Sequence, residues 1–285
     1  MDQKEKIALS VVILTGNEAI HIRRCLECLH ALAPKEIFVV DCLSNDKTAE
    51  VARSLGATVV EHAWPGTQSA QFNWALENLP IKTEWVLRLD ADEYLTPALI
   101  EEIKAKLPTL PEGVTGVFLP LERTFLGKKV SRGVGKITIM RLFRFAHACY
   151  AGRTMDEKLV LADGRAITFD HAFVDDNLNG FEWWQKKHVG YAEREARAML
   201  AEQYGLAEAC GKKAFYSRLP LFVRCFTYWG YRYFLRLGFL DGLAGWRWHF
   251  WQGLWYRLLV DRKIFGVRKA CGFNRERIIE YVRRG

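Results

Sequence analysis

Short apolar runs alternate with helix-like segments over the first 122 residues, and this alternation constrains the fold more than any other feature of the chain. The apolar runs are ALSVVILT, EIFVVD, ATVVE, WVLRLD and GVFLPLE, and the helix-like segments are Glu18–Leu32, Lys47–Leu55, Gln68–Leu79 and Pro97–Leu107. Alternating strands and helices build a mostly parallel sheet with helices on its faces. We therefore predict an α/β fold in which residues 1–122 form a Rossmann-like, nucleotide-binding half.

The run WVLRLD delivers Asp90, Asp92 and Glu93 at its carboxyl end. In an open α/β sheet, ligands bind in the crevice beyond the carboxyl ends of the strands. Two aspartates one residue apart can hold a divalent cation through oxygen ligands, and such a cation suits a diphosphate. An isolated pair of this kind more often consists of solvated acids that cap the next helix. The other strand ends therefore decide between the two interpretations.

Polar residues follow the other predicted strands as well. They are Thr15, Asn17 and Glu18 after the first strand, Asp41 at the end of the second, and Gln71 and Asn73 at the start of the helix after the third. Because the carboxyl ends of parallel strands meet at one edge of a sheet, these side chains are expected to converge with Asp90 and Asp92. Taken alone, Asp41 would be a helix-capping or turn carboxylate.

The pattern changes after residue 122. Short extended pieces separated by glycine-containing turns predict a β-rich acceptor side at 123–210, and residues 181–204 are typical of a long amphipathic helix. Helix-like segments broken by glycines follow. We therefore divide the chain into a catalytic domain at 1–210 and a helical extension at 211–285.

The net charge of +8 is unevenly distributed. From Lys212 to Gly285 the chain has 16 Lys and Arg but only 4 Asp and Glu, so the rest of the chain is acidic overall. The same segment carries Trp229, Trp246, Trp248, Trp251 and Trp255. Aromatic rings with arginines suit a membrane interface, so we expect the extension to lie on an anionic membrane surface. Packing on the catalytic domain or on another subunit of a homo-oligomer is the alternative.

Seven cysteines form an odd, scattered set, which disfavours a disulfide framework and fits a reducing compartment. Cys25 and Cys28 are expected to be packing thiols, because no second cysteine pair stands at metal-binding spacing. The first apolar run is too short for a membrane span or a signal peptide. We therefore expect the chain to begin in the cytoplasm.

Together, the strand-end residues resemble the family 2 glycosyltransferases of the GT-A fold. The resemblance continues through ERTFLGKKVSRG, IMRLFR, RTMDEKL, KHVGYAEREA and RLGFLDGLAG, and so covers nearly the whole chain. The chain is most similar to the bacterial branch that includes the lipopolysaccharide-core β-1,4-glucosyltransferases and related envelope-polysaccharide enzymes. This resemblance implies transfer of a sugar, with inversion, from a nucleotide donor that is expected to be a UDP-sugar.

The resemblance also assigns roles to the donor-side residues. It places the nucleotide base near Thr15, Glu18 and Asp41, with Gln71 and Asn73 lining the same pocket, and it counts Asn17 among the donor-binding residues. The Asp90 and Asp92 pair would hold Mg²⁺ or Mn²⁺ on the donor diphosphate, Asp92 directly and Asp90 toward the ribose or a metal-bound water. The chain departs from the family at Gly16, where a lysine is common, and at residues 42–46, where a Ser-Gly-Ser-Thr-Asp run is common.

The acceptor side is assigned in the same way. Inverting transfer needs a carboxylate that takes the proton of the attacking hydroxyl, and the pair Asp156 and Glu157 is the candidate. The resemblance favours Glu157, with Asp156 as its rival. His171 is a candidate third metal ligand, as is Asp175. Arg141 is the arginine best suited to neutralise the leaving diphosphate or a phosphorylated acceptor.

We therefore predict a metal-dependent inverting glycosyltransferase, peripheral to the cytoplasmic face of a bacterial inner membrane. The aromatic, basic extension favours a lipid-linked glycan or the lipopolysaccharide core as acceptor. One alternative is nucleotidyl transfer onto a sugar phosphate, although the Gly-rich loop of such enzymes is absent. The other is a basic membrane-surface or nucleic-acid-binding protein without catalysis. The chain has no recognised nucleic-acid motif, so no nucleic acid partner is expected.

Overall fold

The computed structural model describes residues 6–151, 158–207, 216 and 219–284. The chain divides into two compact units. Unit 1 consists of the chain up to Gly127 together with Lys136–Leu178. Unit 2 consists of Lys128–Gly135 together with the chain from Asn179 onward. The boundary predicted at residue 210 lies outside the described residues and stays a prediction.

Unit 1 has the α/β architecture predicted from the alternating pattern. The strands are β1 (Ile7–Thr15), β2 (Pro34–Asp41), β3 (Thr58–Glu61), β4 (Trp85–Asp90), β5 (Glu93–Leu95), β6 (Val114–Phe125), β7 (Lys128–Val130, in unit 2), β8 (Thr138–Arg144), β9 (Ala148–Ala151), β10 (Lys158–Leu161), β11 (Arg165–Thr168) and β12 (Phe173–Asp175). The main sheet of unit 1 has the order β3-β2-β1-β4-β8-β6-β12-β5, with β11 also paired to β6. Strands β1 to β4 run parallel, and β8 is antiparallel to both β4 and β6.

The helices of unit 1 cover both faces of the sheet. They are α1 (Ile22–Leu32), α2 (Thr48–Ser54), α3 (Gln68–Asn78) and α4 (Pro97–Lys106), followed by a 3₁₀ turn at Leu107–Thr109. The threonines before α3 and α4 cap these helices, because Thr67 accepts a hydrogen bond from the N–H of Ala70 and Thr96 accepts one from the N–H of Leu99. Pro97 occupies the start of α4, where its missing N–H costs no hydrogen bond.

Strand β1 is buried on both sides because it lies in the middle of the parallel strands. Val11 and Ile13 belong to the core on one face of the sheet, and Val12 and Leu14 belong to the core on the other. Successive side chains of a strand point to opposite faces, so a strand between two helical layers is apolar throughout. Each fully buried side chain of this kind contributes about 1.5–3 kcal/mol.

Unit 2 is mainly helical. Its helices are α5 (Phe181–Gln203), α6 (Val223–Gly230), a π-helical turn at Tyr231–Leu235, a 3₁₀ turn at Gly238–Asp241, α7 (Gly242–Trp248), a second π-helical turn at His249–Trp255, α8 (Tyr256–Ala270) and α9 (Arg275–Arg283). Its core joins α5 to α8 and α9 through residues such as Leu200, Ile264 and Ile278. A helical C-terminal region was predicted, and it is present. None of the helices in the described ranges combines the length and the apolar composition that a bilayer span requires.

Candidate functional site

The site is built on the parallel register of three neighbouring strands in unit 1. Thr15 at the end of β1 pairs with Asp41 at the end of β2, and Leu14 of β1 pairs with Asp90 at the end of β4. Neighbouring strands lie about 4.8 Å apart, so Asp41 and Asp90 stand on either side of β1, on the order of 10 Å from each other. The predicted convergence of these strand ends is therefore present.

Asp41 is buried and accepts three hydrogen bonds from its own unit. Thr15 Oγ1 donates to Asp41 Oδ1 at 2.7 Å, Ser44 Oγ donates to the same atom at 2.6 Å, and the N–H of Ser44 donates to Oδ2 at 2.7 Å. Asp41 thus has the turn role expected of it as an isolated residue. A carboxylate offers about four acceptor positions, so one position remains for a ligand N–H.

Asn17 shapes the loop that follows β1. Its backbone is left-handed, with φ of 59°, a conformation that asparagine tolerates better than most residues. Its N–H donates to Ser44 Oγ at 2.7 Å, and its Oδ1 atom accepts the N–H of Asn45 at 3.0 Å. Asn17 therefore joins the loops after β1 and β2, which places it beside Asp41.

Glu18 is held by His21, a residue that the sequence did not single out as part of the site. The buried His21 accepts the N–H of Leu178 at its Nε2 atom at 2.9 Å and contacts Glu18 Oε2 with its Nδ1 atom at 2.5 Å. Because Nε2 is an acceptor, the ring proton lies on Nδ1 and is donated to Glu18. The sequence signal that could have identified His21 is its position three residues after Glu18, in the loop before α1.

The two amides at the start of α3 have different roles. Gln71 is buried, and its Nε2 atom donates to Cys42 Sγ and to the backbone oxygen of His62, both at 3.3 Å. Gln71 therefore lies next to the residue that follows Asp41. Asn73 instead bonds the backbone of Tyr150 with both amide atoms, at 3.0 and 2.9 Å. Asn73 therefore anchors β9. Its amide contacts do not reach the Asp41 side of the site, where it was predicted to lie.

Two arginines clamp the carboxylate of Asp90. Arg88 Nη2 donates to Oδ1 at 3.2 Å, and Arg141 Nη2 donates to Oδ2 at 3.2 Å. Arg141 also donates to Glu93, whose other oxygen accepts the N–H of Asp90 at 3.0 Å. Arg141 therefore lies at the strand-end site, but two carboxylates of the protein already bind it, and the phosphate role predicted for it stays a prediction. Both oxygens of Asp90 are occupied by cations.

Arg88 is a site residue that the sequence analysis missed. It is buried between aromatic rings, with its guanidinium carbon 5.3 Å from the ring centre of Phe72 and 4.7 Å from that of Tyr150. It also donates to Gln68 at 3.2 Å. The available signal was a single arginine in an apolar strand, two residues before Asp90 and hence on the same face of β4.

The clamp separates the pKa values of the two neighbouring carboxyls. Burial acts to raise the pKa of Asp90, but Arg88 and Arg141 outweigh it and lower this pKa to about 2. Burial raises the pKa of Glu93 to about 8, and the charge of Asp90 acts in the same direction against Arg141. Asp90 is therefore an anion at neutral pH, whereas Glu93 keeps its proton to a higher pH than an ordinary glutamate does.

Asp92 and Asp175 are the other two carboxylates of the site. Asp92 Oδ2 accepts a hydrogen bond from Asn177 at 2.9 Å, and no described residue donates to Asp92 Oδ1. Asp175 in β12 pairs with β5 and lies 3.7 Å from the Nε atom of Arg123. Burial, then the charges of Asp92 and Asp90, raise the pKa of Asp175 to about 6. A cation bound here would relieve this repulsion.

These carboxylates fit a bound Mg²⁺ or Mn²⁺ only in part. Hard oxygen donors suit either ion, and Asp92 has an oxygen without a protein donor among the described residues. Over the described ranges, however, no three His, Cys, Asp or Glu side chains group closely enough to hold a metal ion. Mg²⁺ usually binds one or two carboxylates together with substrate phosphates, so this incomplete set suits a metal that arrives with a diphosphate.

His171 does not join this set. Its N–H and its Nδ1 atom both lie 2.9 Å from Oε2 of Glu102 on α4. The structure thus ties His171 to Glu102 instead of to Asp90 and Asp92, and the metal role predicted for it is wrong. The two candidates for the general base, Asp156 and Glu157, lie outside the described residues. Their role stays a prediction.

The cysteines of α1 are packing thiols, as predicted. Cys25 is buried, and burial raises its pKa well above the ordinary value of a thiol. Burial also raises the pKa of Cys28 to about 11, and the Cys28 sulfur accepts the N–H of Leu95 at 3.5 Å. Both thiols are therefore protonated at neutral pH and pack against the strands that carry the carboxylates.

Solved structures are similar to this chain in part. Glucosyl-3-phosphoglycerate synthase from Mycobacterium tuberculosis, in complex with Mn²⁺, UDP and glucosyl-3-phosphoglycerate, is 24% identical with a TM-score of 0.33, over 42% of this chain and 44% of that chain. S. aureus TarS 1–349 is 15% identical with a TM-score of 0.45, over 97% of this chain and 89% of that chain.

Curated relatives and a family model match the N-terminal half. An "Uncharacterized glycosyltransferase" of Rickettsia bellii is 38% identical over 96 residues, which cover 34% of this chain and 31% of the relative. One of Rickettsia felis is 38% identical over 96 residues, covering 34% and 32%. The chain thus spans about a third of the length of these relatives. The family model described as "Glycosyl transferase family 2" matches residues 10–147.

The matched segment covers most of β1 and all of β2 to β8, with Asp41, Arg88, Asp90, Asp92 and Arg141. The predicted resemblance to the family 2 glycosyltransferases and the α/β fold of the GT-A type are confirmed, and the resemblance to the lipopolysaccharide-core branch stays a prediction. Residues 10–147 of this chain therefore belong to glycosyl transferase family 2.

Proposed function

We propose that this protein is an inverting glycosyltransferase that moves a sugar from a nucleotide donor, a UDP-sugar, to a lipid-linked acceptor. The observation that carries the proposal is the register of β2, β1 and β4, which aligns Asp41 and Asp90 at one edge of the sheet within the family 2 segment. Ligands of open α/β sheets bind at this edge. A nucleoside diphosphate is long enough to reach from one carboxylate to the other.

The base of the donor would bind on the Asp41 side. Asp41 has an acceptor position left for an N–H of uracil, and Thr15 and Ser44 hold its carboxylate in a fixed orientation. Asn17 and Glu18 belong to the adjoining loop. A pre-oriented carboxylate loses little entropy when it accepts a hydrogen bond, so this side supplies selectivity for the base.

The diphosphate would bind on the Asp92 side. Mg²⁺ or Mn²⁺ held there by Asp92, with Asp175 beside it, would neutralise the negative charge of the leaving diphosphate. Arg88 and Arg141 occupy the oxygens of Asp90. Asp90 would therefore contribute by fixing the position of the chain just before Asp92. The arginine clamp also keeps the local charge from becoming too negative for a donor that is itself an anion.

The acceptor side completes the reaction. Glu157, or Asp156 in its place, would take the proton of the acceptor hydroxyl as its oxygen attacks the anomeric carbon, while the bond to the nucleotide diphosphate breaks. We propose a lipid-linked glycan or the lipopolysaccharide core as acceptor. The aromatic, basic C-terminal segment supports an acceptor at the cytoplasmic face of the inner membrane, with the protein bound peripherally.

Donor binding is tested by titrating the protein with UDP in a calorimeter, with Mn²⁺ and then with excess chelator. Asp92→Asn should abolish the metal-dependent part of the affinity, because the oxygen without a protein donor is lost. Asp170→Asn is the matched control, since Asp170 is 77% exposed and pairs with Lys106 away from the strand ends. If Asp92→Asn binds UDP with the affinity of the wild type in Mn²⁺, Asp92 is not the metal-binding residue.

The reaction itself is tested by incubating the protein with a panel of nucleotide sugars and membrane lipid extract, followed by mass spectrometry. Transfer should release UDP and add one sugar to a lipid-linked product. Glu157→Gln should retain UDP binding and lower turnover by about 10²-fold. A larger loss for Asp156→Asn would reverse the two roles. Release of pyrophosphate would instead indicate nucleotidyl transfer.

A further inference from the structure

Unit 2 exposes a cluster of large apolar side chains where its chain reverses direction. The cluster, named here the apolar tip, consists of Phe234, Leu235, Leu237, Phe239, Leu240 and Leu243. Leu235 is 76% exposed and Leu243 is 63% exposed, and the other members are all more than two fifths exposed. Six such residues within ten positions form a patch that a soluble surface rarely carries without a partner.

Backbone packing beneath the tip forces these side chains outward. A β-carbon on Gly238 would lie 2.4 Å from the Nε2 atom of His249, and one on Gly245 would lie 2.2 Å from the backbone oxygen of Gly238. Leu237 turns the chain with a left-handed φ of 57°. The reversal therefore places its backbone inside unit 2, so that its leucines and phenylalanines face outward.

The charges around the tip are positive. Asp241 is the one acidic residue between Lys212 and Val260, and its carboxylate accepts the N–H groups of Ser131 and Arg132, both at 2.7 Å. The N–H of Gly133 donates to the backbone oxygen of Arg236 at 3.0 Å, which brings the loop of Arg132 to the tip. Arg132, Arg236 and Arg247 are exposed.

Other arginines of this segment cannot contact a ligand at the surface. Arg224 is fully buried and paired with Asp261, and Arg232 is buried and donates to the backbone oxygen of Gly133 at 3.2 Å. Burial therefore removes Arg224 and Arg232 from the basic residues that could meet an anionic surface. The cations available to a surface at the tip are Arg132 and Arg236, with Arg247 at the end of α7.

We infer that the apolar tip inserts into the interface of an anionic phospholipid bilayer, with Arg132, Arg236 and Arg247 on the headgroups. Tyr231 and Trp246, both exposed, flank the tip, where aromatic rings favour the headgroup level. The apolar side chains match the hydrocarbon region of such a membrane, and the surrounding cations match its anionic headgroups. The inference rests on the proposed function for the identity of the membrane. Its test needs neither donor nor acceptor.

The test is flotation of the full chain with phosphatidylcholine vesicles, with and without phosphatidylglycerol. The wild type should float with the anionic vesicles. The double variant Leu235→Glu/Leu240→Glu should lose at least roughly 10-fold in partitioning, because two exposed leucines that would enter the bilayer are replaced by charges. Phe273→Glu is the matched control, since Phe273 is 62% exposed on another part of unit 2, and it should float like the wild type.

The arginines are tested separately. Arg236→Gln and Arg247→Gln should each weaken binding to anionic vesicles roughly 5-fold at low salt, with no change on phosphatidylcholine alone. Brominated lipids should quench the fluorescence of the wild type more than that of Trp246→Phe, because Trp246 would lie at the interface. Calorimetric UDP binding by each variant distinguishes loss of folding or of donor binding from loss of membrane contact.

Three outcomes would overturn the inference. One is flotation of Leu235→Glu/Leu240→Glu at the level of the wild type. Another is equal loss of flotation in Phe273→Glu, which would mean that the contact is not located at the tip. The third is a wild type that never floats and that sediments as a dimer, with the tip variant sedimenting as a monomer. In that case the tip binds a second copy of the chain.

Discussion

At the scale of single residues, the position of Arg88 governs the electrostatics of the candidate site. A buried arginine needs an anion nearby, and Asp90 supplies it from the same face of β4. Arg141 reaches the same carboxylate from β8. Asp90 is thus held by groups from two strands, which fixes the chain just before Asp92 and so orients the residue proposed to meet the metal.

Replacing Arg88 by leucine should destabilise unit 1 by about 2 kcal/mol, because Asp90 would keep only one cation in a partly buried site. Urea unfolding at neutral pH measures the change. Arg53→Leu is the control: Arg53 pairs with Glu61 at 2.9 Å, but both side chains are about half exposed, so the loss should stay below about 1 kcal/mol. Equal losses in the two variants would contradict a special role for Arg88.

Glu102 gives the clearest pH dependence. Burial acts to raise its pKa, but Lys106 at 2.6 Å and the N–H groups of Asp170 and His171 at 2.9 Å outweigh it and lower the pKa to about 2. A carboxyl whose pKa is lower in the folded state than its ordinary 4.5 stabilises the fold above pH 4.5. This stabilisation is lost as the pH falls from 4.5 toward 2.

Glu102→Gln should therefore lower the free energy of unfolding by about 2 kcal/mol at neutral pH, and the gap to the wild type should close below pH 4.5. Urea unfolding across this pH range measures the gap. Glu101→Gln is the control, because the neighbouring Glu101 is 73% exposed and pairs with Lys104 only at the surface. A gap that stays constant with pH would show that the carboxylate charge of Glu102 is not the cause.

At the scale of elements, a buried ion pair joins α6 to α8. Arg224 Nε lies 2.9 Å from Asp261 Oδ1 and 3.1 Å from Oδ2, and the N–H of Phe222 donates to Oδ2 at 2.7 Å. The ring of Tyr216 lies 5.0 Å from the guanidinium carbon. The left-handed Phe222 that precedes α6 is thus tied to α8 by the same carboxylate, which sets the entry of the chain into this helix.

Removing one member of this pair should cost unit 2 about 3–5 kcal/mol, because the other charge would remain buried and alone. We expect this loss for both Arg224→Gln and Asp261→Asn in thermal or urea unfolding. Arg262→Gln, at an exposed neighbouring position on α8, should change stability by less than about 0.5 kcal/mol. If Asp261→Asn unfolds like the wild type, the pair does not hold α6 on α8.

At the scale of the whole molecule, the two ends of the sequence carry opposite charge. The strand-end site of unit 1 is rich in carboxylates, whereas the segment from Lys212 onward has 16 cationic residues and 4 acidic ones. An acidic site suits a metal and its diphosphate, and a basic segment suits an anionic surface. The proposed donor and the proposed membrane would therefore bind chemically different surfaces of the chain.

This division predicts how salt affects activity. With a lipid-linked acceptor in anionic vesicles, product formation should fall as ionic strength rises, because salt screens the attraction between the basic segment and the surface. With the same acceptor dispersed in neutral detergent, the salt effect should be much smaller. Calorimetric UDP binding in the same buffers is the control. Equal salt sensitivity in vesicles and detergent would exclude surface attraction as the cause.

The sequence determined the fold of unit 1 and the place of its site. Alternating apolar and amphipathic segments require a sheet covered by helices, and a parallel sheet brings all strand ends to one edge. The edge at which Asp41 and Asp90 end their strands could therefore be predicted from the alternating pattern, whereas their proposed roles came from the family resemblance. The packing role of Cys25 followed in the same way, since a lone C-x-x-C pair lacks the ligands of a metal site.

Only the tertiary structure decided which partner each polar side chain meets. Periodicity gives the face on which a residue lies, but not the group opposite to it. Arg88 and Arg141 are 53 positions apart in sequence and still share Asp90. Asn73 anchors Tyr150, and the surroundings bury Arg224 while leaving Arg236 exposed. These differences arise from contacts between distant segments, which local sequence patterns do not encode.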